Sequence, residues 1–120
     1  MKHASTIGIL MFSAAVGASA AGCGSDPPLR TEASTSGIRA AEEVGASKVP
    51  RAALHLQLAK EELEHARHMA ADGEHEQATS MLGRAEADAQ LAVALSRENQ
   101  EKAKASAAVA RVRQLRQDSE

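Results

Sequence analysis

The sequence predicts an all-α protein in which a signal peptide and flexible tether precede a short helix and a long antiparallel helical hairpin with an extended C-terminal helix. Three observations carry this. After Cys23 there are 21 Ala, nine Leu, five Val, two Met, one Ile and no aromatic residue. Ala is the best helix former and buries little area, so this composition builds thin, closely packed helices and excludes a sandwich, a barrel or a doubly wound sheet. Val49, Ala52, Leu56, Ala59, Leu63, Ala66 and Ala70 recur at alternating spacings of three and four, which is a heptad stripe. Asp72-Gly73 then punctuates two helical patterns, and so short a connection makes the helices antiparallel.

The chain of 120 residues allows one folded domain. Its expected organisation is a lipoprotein signal peptide over 1–22, a lipidated Cys and flexible tether over 23–36, and a hairpin domain over 37–117. Lys2 and His3 form a short basic start, Ile7 to Val16 an apolar stretch, and Gly17 to Gly22 a run of small residues. That apolar stretch is about half the ~20 residues a membrane-spanning helix needs, so it reads as an export signal. The sole aromatic residue, Phe12, lies inside it.

Cys23 is the only cysteine, which leaves a free thiol, an intermolecular bridge or a modification. Ala20-Ala21-Gly22-Cys23 resembles the bacterial lipobox, whose Cys is acylated and becomes the first residue of the mature protein. Ala20 stands where Leu is commonest in that motif. The competing reading is cleavage after Ala20 or Ala21 with an incidental thiol at Cys23. Each buried acyl methylene contributes ~0.8 kcal/mol, so two or more chains, palmitate among them, hold a protein at a membrane where one does not. Gly24 replaces the Asp that retains enteric lipoproteins at the inner membrane, and by that resemblance the chain sorts to the outer membrane, facing the periplasm. From Gly24 to Ser36 the chain is rich in Gly, Ser, Pro and Thr, and Pro27-Pro28 favours an extended spacer.

The first helix is expected from about Gly37 to Ala46, with Ser36 as N-cap and Ile38, Ala41 and Val44 on one face. The second starts at Pro50, a good first-turn residue, and stops at Asp72-Gly73. Leu54 and Leu58 lie away from its heptad face, where the first helix is available to cover them. The third follows Gly73 and extends to about Gln117, its first apolar stretch being Ala78, Met81, Leu82, Ala85, Ala89, Ala92 and Leu95. Only its first half can pair with the second helix. Ser96 to Lys104 is strongly polar, after which Ala105, Ala108, Val109, Val112 and Leu115 resume an apolar stripe that protrudes, bends back or meets another chain.

The segments Val49-Pro50, Ala59-Lys60-Glu61-Glu62-Leu63, Ala66, Gly73-Glu74-His75-Glu76-Gln77-Ala78 and Ala85-Glu86-Ala87-Asp88-Ala89-Gln90-Leu91-Ala92 carry a more specific likeness. Together they resemble the domain of unknown function 4398 family of bacterial envelope lipoproteins, over about residues 38 to 95. The resemblance implies a Pro-initiated hairpin helix, a Gly-Asp-Tyr-like turn and an Ala-rich second helix, and it implies no activity. Glu74 and His75 stand where the family has Asp and Tyr, so the N-cap and an aromatic wedge at the turn are absent.

Formal net charge is −2, which gives no global signal for nucleic acid. Residues 61–101 hold ten acids against Arg67, Arg84 and Arg97, whereas 102–116 hold Lys102, Lys104, Arg111, Arg113 and Arg116 and no acid. Those five cations are the candidate interaction residues, suited to anionic lipid, peptidoglycan carboxylates or an acidic helix; the competing reading is a solvated helix end whose cations favour its dipole. Glu62-Leu63-Glu64-His65 has the Glu-x-x-His form of a di-iron ligand pair, but the third helix offers no second copy. Glu61, His65 and His68 sit at i, i+4 and i+7 and are the only looser metal candidates, set against a plain solvated acidic face. No nucleophile pattern and no phosphate-binding Gly loop occurs, so the expectation is a non-enzyme without cofactor. The functional expectation is a lipid-anchored structural or protein-interaction module with membrane contact, completed by self-association or an envelope partner. The alternative is a periplasmic metal-binding or stress-related protein using the His/Glu helix face.

Overall fold

The computed structural model describes residues 28–119, which form three α-helices and one 3-10 turn. The expected signal peptide, Cys23 and the first part of the expected tether lie outside the described residues. The helices are α1 (Glu32–Glu43), α2 (Pro50–Ala71) and α3 (His75–Gln117), with the 3-10 turn at Ala46–Lys48. No strand occurs among the described residues, so the all-α expectation holds.

α1 begins at Glu32, five residues before the expected start. Its first turn carries Glu32, whose charge suits the helix N-terminus. Ser34, Ile38 and Ala41 form one buried face at i, i+4 and i+7, and Ser34 Oγ donates to the Leu82 carbonyl of α3 at 3.1 Å. Residues 32–36 therefore belong to the packed helix, and the tether expected over 23–36 is shorter by those five. Ser36 is no cap: its hydroxyl donates back to the Ala33 carbonyl at 3.0 Å. α1 also stops before the expected Ala46, because Gly45 takes a left-handed φ of 77° that turns the chain into the 3-10 turn.

Val49 is extended and Pro50 occupies the first turn of α2, where its missing N–H costs nothing. The helix ends in a Schellman motif. Gly73 adopts φ 84°, its N–H donates to the Ala70 carbonyl at 3.2 Å, and the Glu74 N–H reaches the Met69 carbonyl at 2.8 Å. α3 starts at once, and Glu74 before it makes no side-chain cap, as its departure from Asp implies.

Ala52, Leu56, Ala59, Leu63 and Ala66 of α2 are buried against Ala78, Leu82, Ala85, Ala89, Ala92 and Leu95 of α3. α1 lies in the groove on one side of this hairpin, chiefly against α3. Its approach is close: a Cβ on Gly37 would stand 3.1 Å from the Ala89 Cβ. Lys60 Nζ on α2 meets Glu42 Oε1 on α1 at 2.5 Å, which ties the third pair of elements together. Leu54 is left uncovered at 58% exposed, contrary to the expectation that the first helix shields it, because α1 sits on the opposite groove. No described helix is long and apolar enough to cross a membrane.

Candidate interaction surface

α3 is 43 residues long, about 65 Å at 1.5 Å per residue, whereas α2 has 22 residues and spans about 33 Å. The mismatch decides what the C-terminal half can do. Leu95 and Ser96 are the last buried residues, and Gln100 Nε2 donating to the Val44 carbonyl at 3.0 Å is the last hydrogen bond back to the rest of the fold. Every residue from 97 to 119 is exposed. The segment protrudes as a continuous helix, with Val109, Val112 and Leu115 at 50%, 48% and 59% exposure.

Four of the five candidate cations line the two edges of that apolar stripe. At roughly 100° per residue, Lys102 and Arg113 fall on one edge, Lys104 and Arg111 on the other, and Arg116 along it. The two lysines are partly spoken for. Lys102 pairs with Glu98, which holds the Glu98 carboxyl below its ordinary range, and Lys104 Nζ meets Glu101 Oε1 at 2.7 Å. Such exposed helix pairs are weakened by solvent screening and leave both groups open to exchange. Among the described residues Arg111, Arg113 and Arg116 make no ion pair, so the positive charge concentrates toward the end of the helix.

A second polar constellation lies on the hairpin's side away from α1. His55 Nδ1 on α2 donates to Asp88 Oδ1 on α3 at 2.6 Å, with both side chains about a quarter exposed. Glu62 Oε2 is buried beside them with no hydrogen-bond partner among the described residues. Burial first, and then the negative Asp88, push the Glu62 carboxyl above its ordinary 4.5, with Arg84 opposing. Sequence reasoning singled out neither His55 nor Asp88. Both are about equally far from the Asp72-Gly73 turn, and that antiparallel register was the available signal.

The looser metal candidates share one face of α2 but form no metal-holding group. Glu61, His65 and His68 are all exposed on α2, and Glu61 Oε1 accepts from Gln57 Nε2 at 2.7 Å. Among the described residues no group of three or more His, Cys, Asp or Glu side chains is placed to hold a metal ion. Cys23, the expected lipidation residue, lies outside the described residues.

No family model, curated protein or solved structure matches this chain. The family resemblance drawn above rests on the residues quoted for it.

Proposed function

We propose that this chain is a lipid-anchored protein of the bacterial envelope, carried on Cys23 at the outer membrane and facing the periplasm, where it acts as a non-catalytic structural or protein-interaction module. The observation that carries the interaction role is the projecting half of α3, whose apolar stripe between cationic edges finds no partner within the described fold. A stripe of this kind on a protruding helix is a surface made to be covered. The anchor rests on the leader that ends in Ala-Ala-Gly-Cys and on the family resemblance of the hairpin. In this reading the tether holds the bundle a short distance from the lipid, and the basic helix reaches outward from it.

The test is fractionation of cells making the wild-type and Cys23→Ser chains, with intact mass. Wild type is expected in the envelope with the added mass of its acyl groups, and Cys23→Ser in the soluble periplasmic fraction without it. Envelope retention of Cys23→Ser at unchanged mass defeats the reading.

A further inference from the structure

Two antiparallel helices enclose a groove on each side, and α1 fills only one of them. The filled side is marked by Ser34 at the Leu82 carbonyl, Gly37 against Ala89, and Lys60 with Glu42. The other side is marked by His55 with Asp88. There Leu58 and Met81 are half-buried, and Leu54 and Leu91 at its rim are exposed. Leu58 and Met81 share an open depression with Glu61, Glu62 and Arg84. Lys60 and Glu64 line the same depression, and with Asp88 alongside four acids stand against two bases, one of which, Lys60, is held by Glu42, so this is an apolar strip in a negative setting.

The free half of α3 has the complementary character. Its stripe runs from Ala105 to Leu115, ten residue steps or about 15 Å, and Met81 to Leu91 is also ten steps, about 15 Å. Its edges are positive, with no acid from Lys102 to Arg116. The stripe lies on the opposite side of α3 from the seam that packs on α2, roughly 160° around the helix axis at 100° per residue. A continuous helix cannot fold back, so the segment never reaches its own groove.

We propose that residues 101–117 of a second copy of this chain occupy the open α2–α3 groove, as a fourth helix opposite α1. The apolar stripe covers Leu54, Leu58, Met81 and Leu91, and the cationic edges meet Glu61, Glu62 and Asp88. Complementary charge selects this pairing over tail against tail, which would bring two sets of five cations together with no acid between them. The inference deepens the interaction role proposed above by naming the partner.

Disulfide trapping tests it in the full chain. Leu91 and Val112 stand 21 residues apart on one helix, about 31 Å, whereas a disulfide needs Cα atoms about 6 Å apart. A bridge between the two introduced cysteines of the Leu91→Cys/Val112→Cys chain is therefore between copies, and the single variants report any bridge to Cys23. The double variant is expected to link under mild oxidation, while wild type and each single variant, which share Cys23, do not. Arg113→Glu and Glu61→Lys are each expected to lower the yield several-fold, and their combination to recover it. Equal linkage by either single variant, or a yield indifferent to both charge reversals, overturns the proposal. So does an unlinked double variant whose tail is shielded from trypsin by phosphatidylglycerol vesicles, an outcome that assigns the stripe to a lipid surface. The cross-link and the Cys23 fractionation read different properties, so either result can fail alone.

Discussion

His55 Nδ1 and Asp88 Oδ1 meet at 2.6 Å across the α2–α3 seam, the one side-chain hydrogen bond that joins the two arms of the hairpin among the described residues. Apart from Glu62 and Ser96, whose hydroxyl donates within α3, the buried remainder of that interface is Ala and Leu, which specify little about which residues stand opposite each other. The pair therefore adds a specific contact to a register that the short Asp72-Gly73 turn already sets. His55→Ala is expected to cost about 1 kcal/mol, the size of a typical net hydrogen bond, and to leave Asp88 beside Glu62 without its donor. Thermal melts of wild type, His55→Ala, Asp88→Ala and the double variant give the coupling directly. A coupling of zero would show the contact to be incidental.

Glu62 makes the same region sensitive to pH. Its carboxyl titrates above 4.5 in the folded hairpin because burial and then Asp88 disfavour its charge, so the folded state binds a proton that the unfolded chain has already released. Stability linked to Glu62 is therefore lowest at neutral pH and is regained as pH falls through the raised value toward 4.5. Asp88, His55 and Arg84 face the same site, so the clean measure is the difference between wild type and Glu62→Gln. The variant is expected to melt higher at pH 7, with the gap closing as pH approaches 4.5. A constant gap would mean that the charge on Glu62 is not the cause.

The hairpin was legible because Ala and Leu fall at alternating spacings of three and four, and those spacings mean one face on any helix. Pro50 and Gly73 were legible for a different reason: each is chemically specialised for the end it occupies. The start of α1 was hidden, since Glu32-Ala33-Ser34-Thr35-Ser36 has a spacer's composition. Only the distant Leu82 carbonyl turns Ser34 into a buried helix residue. Leu54 misled for a related reason. Periodicity gives the angle at which a side chain leaves its helix but not which of two flanking grooves a third helix enters.

Leu63 tests the seam itself. With Leu56 it is one of the two large residues that α2 buries there; the rest of that face is Ala. A buried Leu→Ala change costs ~2–5 kcal/mol, and a small domain is stable by about 5–15 kcal/mol in all. Leu63→Ala is expected to lose most of its cooperative melt by circular dichroism, whereas Leu54→Ala, on an exposed side chain, changes the monomer little. Equal effects from the two would place the packing face elsewhere.

The close crossing of α1 over α3 depends on Gly37. An Ala there already places its Cβ 3.1 Å from the Ala89 methyl, tighter than most such contacts, while gaining up to ~1 kcal/mol in helix propensity. Those opposed effects make Gly37→Ala a poor probe. Gly37→Leu cannot be accommodated without lifting α1 from α3, and overpacking of this kind costs ~1–3 kcal/mol. Detachment of α1 would expose Ser34 and Ile38 while the α2–α3 seam stays closed. Hydrogen exchange is expected to show faster exchange in residues 32–43 of Gly37→Leu and unchanged protection around Leu56 and Leu63. Uniform loss of protection would mean that the three helices unfold as one unit.

Truncation after Gln100 separates what the free half of α3 does for the fold from what it does outside it. Residues 101–119 bury nothing in the described structure, and Gln100, the last to hydrogen-bond back toward α1, is retained. The hairpin's melting temperature is therefore expected to stay within experimental error at low protein concentration, where association contributes nothing. Helical content should fall, by less than the full length of the removed segment, because an isolated helix of this length is marginal in water and frays when no partner covers it. At high micromolar concentration the full chain gains a concentration-dependent rise in melting temperature from any association that binds only the folded form, and the truncated chain does not. If truncation lowers the melting temperature equally at every concentration, the tail is stabilising its own hairpin, and the interaction role loses the observation that supports it.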